Sequence, residues 1–286
     1  MKTGLVMEGG AMRGMFTCGI IDVLMEQKIT FDGAGGISAG AVFGCNFKSG
    51  QIGRPLRYNK TYGSDPRYCS LRSLITTGDL YGADFCYREL PEHLDVFDRK
   101  AFRENPMPFY VGATDMHTGK PVYHACMDGG AEDMLWMRAS ASMPFVSRPV
   151  QIGTHLLLDG GMTEPTPYFY MESLGYDRCL VILTQPPEYR KKSSVSPALI
   201  RLMLRRYPEA ARAMIERPDA YNRHIAGIRQ CEKEGRVMVL CPPAPLNIAR
   251  TEHQPDELDR VYQIGRRLAL EKLTDIRAFL AAGTCP

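Results

Sequence analysis

The chain has 286 residues, enough for one large domain or for one domain with an appended piece. Hydrophobic residues make up 44% and charged residues 23%, a balance that excludes a disordered chain. The 35 basic and 32 acidic side chains leave a formal net charge of +3, which argues against a dedicated nucleic-acid binder.

In chain order, Leu5-Val6-Met7 reads as a short buried strand, and Met15 to Gln27 spaces Phe16, Ile20, Val23 and Leu24 along one helical face. The segment Phe31 to Ile37 should be the second strand although it is poor in β-formers. Ala39 to Phe47 reads as the start of the next helix. Residues from about 54 to 98 are rich in Tyr, Arg and Asp with little periodicity and suit an insertion over a site. Its Tyr81, Phe85 and Tyr87 serve as a lid, as a contact to a membrane surface, or as local core. Strands follow at Phe109 to Thr114 and Val122 to Ala125, then a helix from Glu132 to Ser142 that stops before Pro144. His155-Leu156-Leu157-Leu158 is a strand running into Asp159-Gly160-Gly161, and Arg178 to Thr184 is another. Pro186 to Ser196 reads as a linker. Beyond it we expect helices at 197–216 and 219–234, a strand at Arg236 to Cys241 and one closing helix at 255–282. Alternating elements of this kind predict α/β class with a mostly parallel sheet covered by helices.

The nine cysteines form no C-x-x-C pair and no Cys/His cluster at zinc-ligand spacing, so free thiols in a reducing compartment are expected. The first apolar run is too short for a signal segment, and no stretch of about 18 apolar residues could span a bilayer. The expected location is the cytoplasm, at most peripheral to a membrane. The basic stretch Arg201 to Arg212 reads as a solvated helix face.

Two glycine motifs carry the chemistry. Gly36-Ile37-Ser38-Ala39-Gly40 has the G-x-S-x-G form of a nucleophile elbow, in which Gly36 and Gly40 flank the serine because a sharp strand-to-helix turn leaves no room for side chains. The helix beginning there would aim its positive end at Ser38. The earlier loop Gly9-Gly10-Ala11-Met12-Arg13-Gly14 lies between a strand and a helix, where backbone N–H groups can bind an anion. It lacks the Lys-Ser/Thr ending of a P-loop and does not match G-x-G-x-x-G, which leaves nucleotide binding a distant reading. A serine also needs a base. Asp159, expected at the carboxyl end of a parallel strand, would accept the Ser38 proton directly. The alternative is a Ser-His-Asp esterase using His117 or His155.

Together these motifs resemble the patatin-like phospholipases, most closely the bacterial patatin-like proteins with a C-terminal helical extension. The family's glycine-rich oxyanion loop ending in Arg-Gly, its G-x-S-x-G serine and its late Asp-Gly-Gly are similar to Gly9–Gly14, Gly36–Gly40 and Asp159–Gly161. Its Ala-Ser segment ending in Pro is similar to Arg138–Pro144, and Ala113–Gly119 and the tail from Arg206 through Leu246 also look like this subgroup. The resemblance implies a three-layer α/β/α fold, a Ser38–Asp159 dyad without histidine, and an oxyanion hole from Gly9 to Gly14. It further implies hydrolysis of lipid or other acyl esters with no cofactor and no metal. We expect a catalytic domain over 1–185, with about 54–98 as insertion and candidate lid, and a mainly helical extension over 197–286 packed on it. Where the family has a third consecutive glycine this chain has Ala11, which tolerates positive φ poorly. That departure keeps a catalytically weak lipid- or acyl-binding regulatory module in view.

Overall fold

The computed structural model describes residues 1–193 and 195–282. The last four residues of the expected C-terminal extension therefore lie outside the described residues. Eight strands form one sheet: β1 (Thr3–Met7), β2 (Gly33–Ile37), β3 (Phe109–Asp115), β4 (Pro121–Cys126), β5 (Val150–Ile152), β6 (His155–Asp159), β7 (Arg178–Ile182) and β8 (Val237–Leu240). Their order is β5-β6-β3-β2-β1-β7-β8, with β4 also paired to β3. The run β3-β2-β1-β7-β8 is parallel, whereas β4, β5 and β6 are antiparallel to their neighbours.

Both faces of the parallel core are covered, so its strands read as continuous apolar runs. Leu5 and Met7 of β1 pack with Phe16, Ile20 and Leu24 of the helix Gly14–Glu26. Val6 points the other way and packs with Val181 of β7 and Ile228 of the helix Pro208–Lys233. The expected three-layer α/β/α architecture with a mostly parallel sheet is present. The helix Pro255–Glu271 lies against Gly14–Glu26 so closely that a β-carbon at Gly19 would run into the Tyr262 carbonyl. Tyr262 also donates its hydroxyl to buried Asp22 at 2.6 Å. The eight described cysteines are free. Among the described residues no helix is long and apolar enough to cross a membrane.

The second strand forms where expected, at Gly33–Ile37, and the structure departs from expectation at several later points, each with a physical cause. β2 is the fully buried glycine strand, and it tolerates its composition because neighbouring backbone fills the space: a β-carbon at Gly36 would collide with the Gly40 carbonyl. The segment 54–98 is helical over Arg54–Tyr62, Leu71–Thr77 and Phe85–Leu94, where aromatic contacts replace a simple apolar stripe. Helices expected at 197–216 and 219–234 are instead Pro197–Met203 and one continuous helix Pro208–Lys233 through Pro218. Proline inside a helix removes a hydrogen bond and costs about 3 kcal/mol. Here side chains on either side hold the helix: Arg217 bonds the Gly161 carbonyl, Tyr221 bonds Glu8 and His224 bonds Thr166. Pro208 at the first turn starts this helix, its missing N–H being unsatisfied there in any case. The closing helix is broken at Lys272 into Pro255–Glu271 and Leu273–Ala281.

Candidate active site

β3 organises the site. Ile37, the last residue of β2, stands opposite Gly112 of β3, and Asp159, the last of β6, stands opposite Ala113. Adjacent positions on one strand thus bring the two strand ends together. Ser38 Oγ donates to Asp159 Oδ2 at 2.7 Å across 121 residues of sequence. The expected placement of Asp159 on a parallel strand is corrected: β6 runs antiparallel to β3. It descends onto the carboxyl edge of the parallel strands from outside and reaches that edge with its own last residue.

The elbow at Ser38 is strained, with φ 54° and ψ −120°. A non-glycine residue held there costs roughly 1–3 kcal/mol. The strain is held by the segment ending the helix Ala131–Ala141. Ser140 Oγ accepts the Ser38 N–H at 2.9 Å and donates to the Gly112 carbonyl at 2.6 Å. Two residues on, the Ser142 carbonyl accepts the Asp159 N–H at 2.9 Å. One short segment therefore braces both strand ends. The helix after Ser38 spans only Ala39–Val42, a single turn, so its dipole adds less than the sequence reading supposed.

Asp159 is buried, and its second oxygen accepts the Gly161 N–H at 2.7 Å. Burial raises its carboxyl above the ordinary range, while the Ser38 hydrogen bond and the Arg217 charge pull it down. Its carboxylate is thus more basic than a solvated one, which suits a proton acceptor.

The glycine loop lies beside the serine. A β-carbon at Gly9 would come within 3.0 Å of Ser38 Cβ. Within the loop the N–H groups divide into two sets. Gly9 N–H donates to the Pro165 carbonyl at 3.2 Å, Arg13 N–H to Gly10, and Gly14 N–H to Ala11 and Met12. Gly10, Ala11 and Met12 make no such bond among the described residues. Ala11 adopts φ 49°, the left-handed conformation the sequence reading treated as costly for alanine. Just ahead of the loop, buried Glu8 accepts from Thr184 N–H at 2.5 Å, Thr184 Oγ1 at 3.1 Å and Tyr221 OH at 2.8 Å.

Ser38, Ala11 and Met12 open into an apolar pocket walled by Val42, Phe43, Tyr58, Tyr81, Tyr87 and Met137. Tyr81 and Tyr87 therefore face the pocket, whereas Phe85 is core. The exposed large apolar residues of the 54–98 segment are Leu71, Ile75, Leu94 and Val96 instead.

No histidine bonds Ser38 among the described residues. His155 pairs with Asp115 at 2.7 Å, and His117 packs on Tyr207 at 5.6 Å. His124 pairs with Asp133 at 2.8 Å, His224 with Thr166 at 2.8 Å, and His93 and His253 are exposed. His124, Cys126 and Asp133 could hold a metal ion by proximity. Asp133 there already accepts the N–H groups of Asp128 and Gly129, and His124 stacks on Trp136 at 5.0 Å, so the cluster serves to fix the β4 turn.

Glu8, Ser140, Arg217 and Tyr221 were not singled out from sequence. Ser140 lies in Arg138–Pro144, and the similarity of that segment to an Ala-Ser motif ending in Pro is its only sequence signal. The other three become visible only through contacts across the fold.

The sequence model of patatin-like phospholipases matches residues 5–171, and a second one, a domain of unknown function (DUF6363), matches residues 207–281. An uncharacterized NTE family protein of Mycobacterium tuberculosis is 32% identical over 174 residues, covering 57% of this chain and 27% of the relative. Lysophospholipase nte1 of Aspergillus fumigatus is 27% identical over 181 residues, covering 61% of this chain and 11% of the relative. The chain thus spans about a quarter or less of the length of these curated relatives. Among solved structures, VipD from Legionella pneumophila aligns over 96% of this chain and 67% of its own, with TM-score 0.47 and 11% identity.

Proposed function

Since this chain belongs to the patatin-like phospholipase family, we propose that it is a serine acyl hydrolase of lipid carboxylic esters using Ser38 and Asp159. The single observation that carries the reading is the 2.7 Å hydrogen bond from a strained elbow serine to a buried, basic carboxylate at the mouth of an apolar pocket. In this mechanism the acyl chain occupies the pocket and Ser38 Oγ attacks the ester carbonyl as its proton passes to Asp159 Oδ2. The N–H groups of Gly10, Ala11 and Met12 hold the tetrahedral oxyanion, a service worth about 3 kcal/mol per donor. The leaving alcohol departs with the proton from Asp159. Water, deprotonated by the same carboxylate, then releases the fatty acid and restores Ser38. Gly9, Arg13 and Gly14, whose N–H groups are engaged within the protein, shape the loop. Residues 54–98 act as the insertion over the site, within a catalytic domain of 1–185 that carries the helical extension.

The test is labelling of the pure protein with a fluorophosphonate and location of the adduct by peptide mass spectrometry. The expected result is one adduct on Ser38, absent from Ser38→Ala. A folded protein that stays unlabelled while a nonspecific serine control reacts would overturn the proposal.

A further inference from the structure

The hydrolase reading leaves open what the alcohol half of the ester carries. Outside the apolar pocket, a set of cations gathers next to Asp159. Arg217 is within electrostatic reach of Asp159, Arg13 and Arg250, and Lys191 is within reach of Arg217, Arg13 and Arg250. The fold holds two of them firmly. Arg217 Nε donates to the Gly161 carbonyl at 2.6 Å, and a β-carbon on Gly161 would lie 3.5 Å from Arg217 Nη2 and 3.0 Å from Asp159 Oδ1. Lys191 is clamped through its backbone by Asn222, which accepts its N–H at 2.9 Å and donates to its carbonyl at 3.1 Å. Its Nζ then sits 4.7 Å above the ring of Tyr221, one turn along the helix from Arg217.

These cations lack anions. Among the described residues none of Arg13, Lys191, Arg217 and Arg250 forms an ion pair. Arg13 Nε is buried with no hydrogen-bond partner. The nearby carboxylates are Glu8, already held by three donors, and Asp159, bonded to Ser38 and Gly161. The carboxylates acting on Arg217 and Lys191, Asp159 and Glu8, are thus already committed. Holding like charges together without counter-charges costs free energy, and a bound anion relieves it. Arginine forks match the oxygens of a phosphoryl group, and lysine adds a point charge.

We infer that Arg13, Lys191, Arg217 and Arg250 form a subsite for a phosphoryl group on the alcohol half of the ester. The apolar pocket would hold the acyl chain, the subsite the phosphate, and Ser38 the ester bond between them. Apart from Arg13, the residues come from beyond 171, so the C-terminal part of the chain supplies substrate selection. This assignment rests on the hydrolase reading. Burial, reinforced by Arg217, pushes the Lys191 ammonium down to about 8, and an arriving phosphate would raise it again.

The test measures binding to Ser38→Ala protein, independent of turnover, by titration calorimetry with three ligands: octanoyl glycerol phosphate, octanoyl glycerol and inorganic phosphate. The phosphate lipid is expected to bind at least about tenfold more tightly than the neutral one, and this preference should shrink as salt rises. Lys191→Gln with Arg250→Gln should lower the preference by about tenfold, and Arg217→Gln by a similar factor if its thermal melt remains cooperative. Equal affinity for the two lipids, or a preference untouched by the Lys191 and Arg250 changes, would overturn the subsite. Inorganic phosphate binding as tightly as octanoyl glycerol phosphate would overturn the headgroup assignment in favour of a free-anion site. If wild-type protein resists fluorophosphonate while Ser38→Ala keeps the lipid preference, the hydrolase reading falls and the anion subsite stands.

Discussion

Two buried carboxylates stand at the carboxyl edge of the central strands, and their surroundings differ. Where β1 meets β7 and the helix Pro208–Lys233, Glu8 takes hydrogen bonds from a backbone N–H, a threonine and a tyrosine. Where the ends of β2 and β6 come together over β3, Asp159 takes one N–H on one oxygen and the Ser38 hydroxyl on the other. Both are almost fully enclosed, at 1% and 6% exposure, so burial does not separate them. The donors do. All of Glu8's donors belong to the packed framework, whereas one of Asp159's is a hydroxyl that opens onto the apolar pocket. A saturated carboxylate rivets the loop to the helix Pro208–Lys233. A carboxylate whose partner faces a pocket is placed for the proton transfer proposed above.

The sharpest way to break this contrast is to remove the charge at Asp159. Asp159→Asn should lower kcat/KM by on the order of 10³-fold or more on a simple ester, with a cooperative melt retained. Full activity would leave Asp159 no different in kind from Glu8. Its raised carboxyl makes a further demand in wild-type protein. The base must be ionised, so activity should rise with pH through a limb lying above the ordinary carboxylate range. A limb at or below that range would contradict the environment described.

The pocket half of the contrast is tested by filling it. Val42→Phe should cut the preference for decanoyl over acetyl esters by about tenfold, because each lost methylene contact removes roughly 0.8 kcal/mol. An unchanged chain-length profile would place the acyl chain elsewhere.

A framework group supplies the next test. His224, buried and bonded to Thr166, has its imidazole pushed down to about 3 by burial from an ordinary value of 6.5. Its folded value lies below its unfolded one, so its contribution to stability is complete above about 6.5 and is lost as pH falls toward 3. Denaturant midpoints should decline across that window, and His224→Gln should flatten the decline. The smallest expected effect is at Ala11, whose φ of 49° strains an alanine. Ala11→Gly should raise stability by about 1 kcal/mol, read as a higher melting temperature. No gain would mean that the loop is held by its neighbours at no cost to alanine.

The parallel core, the position of the first helix and the two glycine turns were legible in the sequence because their causes are local. Phe16, Ile20 and Leu24 share a helical face whatever surrounds them, and Gly36 is demanded by the backbone four residues later. The walls of the pocket were not legible. Tyr58, Tyr81 and Tyr87 have no common period, since they converge from three separate stretches of the 54–98 segment. The continuity of the long helix through Pro218 was hidden for a related reason. Local propensity votes for a break there, and contacts from Gly161, Glu8 and Thr166 outvote it.

By itself, then, the sequence determined which short segments turn sharply, which bury an apolar face, and that a serine and an aspartate each stand at such a turn. Only the tertiary structure decided that these two meet, that β6 arrives antiparallel, that Ser140 and Ser142 brace both strand ends, and that cations from four separate segments share one neighbourhood. Turn and helix preferences are set within a few residues by sterics. Partnership across 121 residues is set by strand register along β3 and by the helices that close over it, which no local stretch of chain contains.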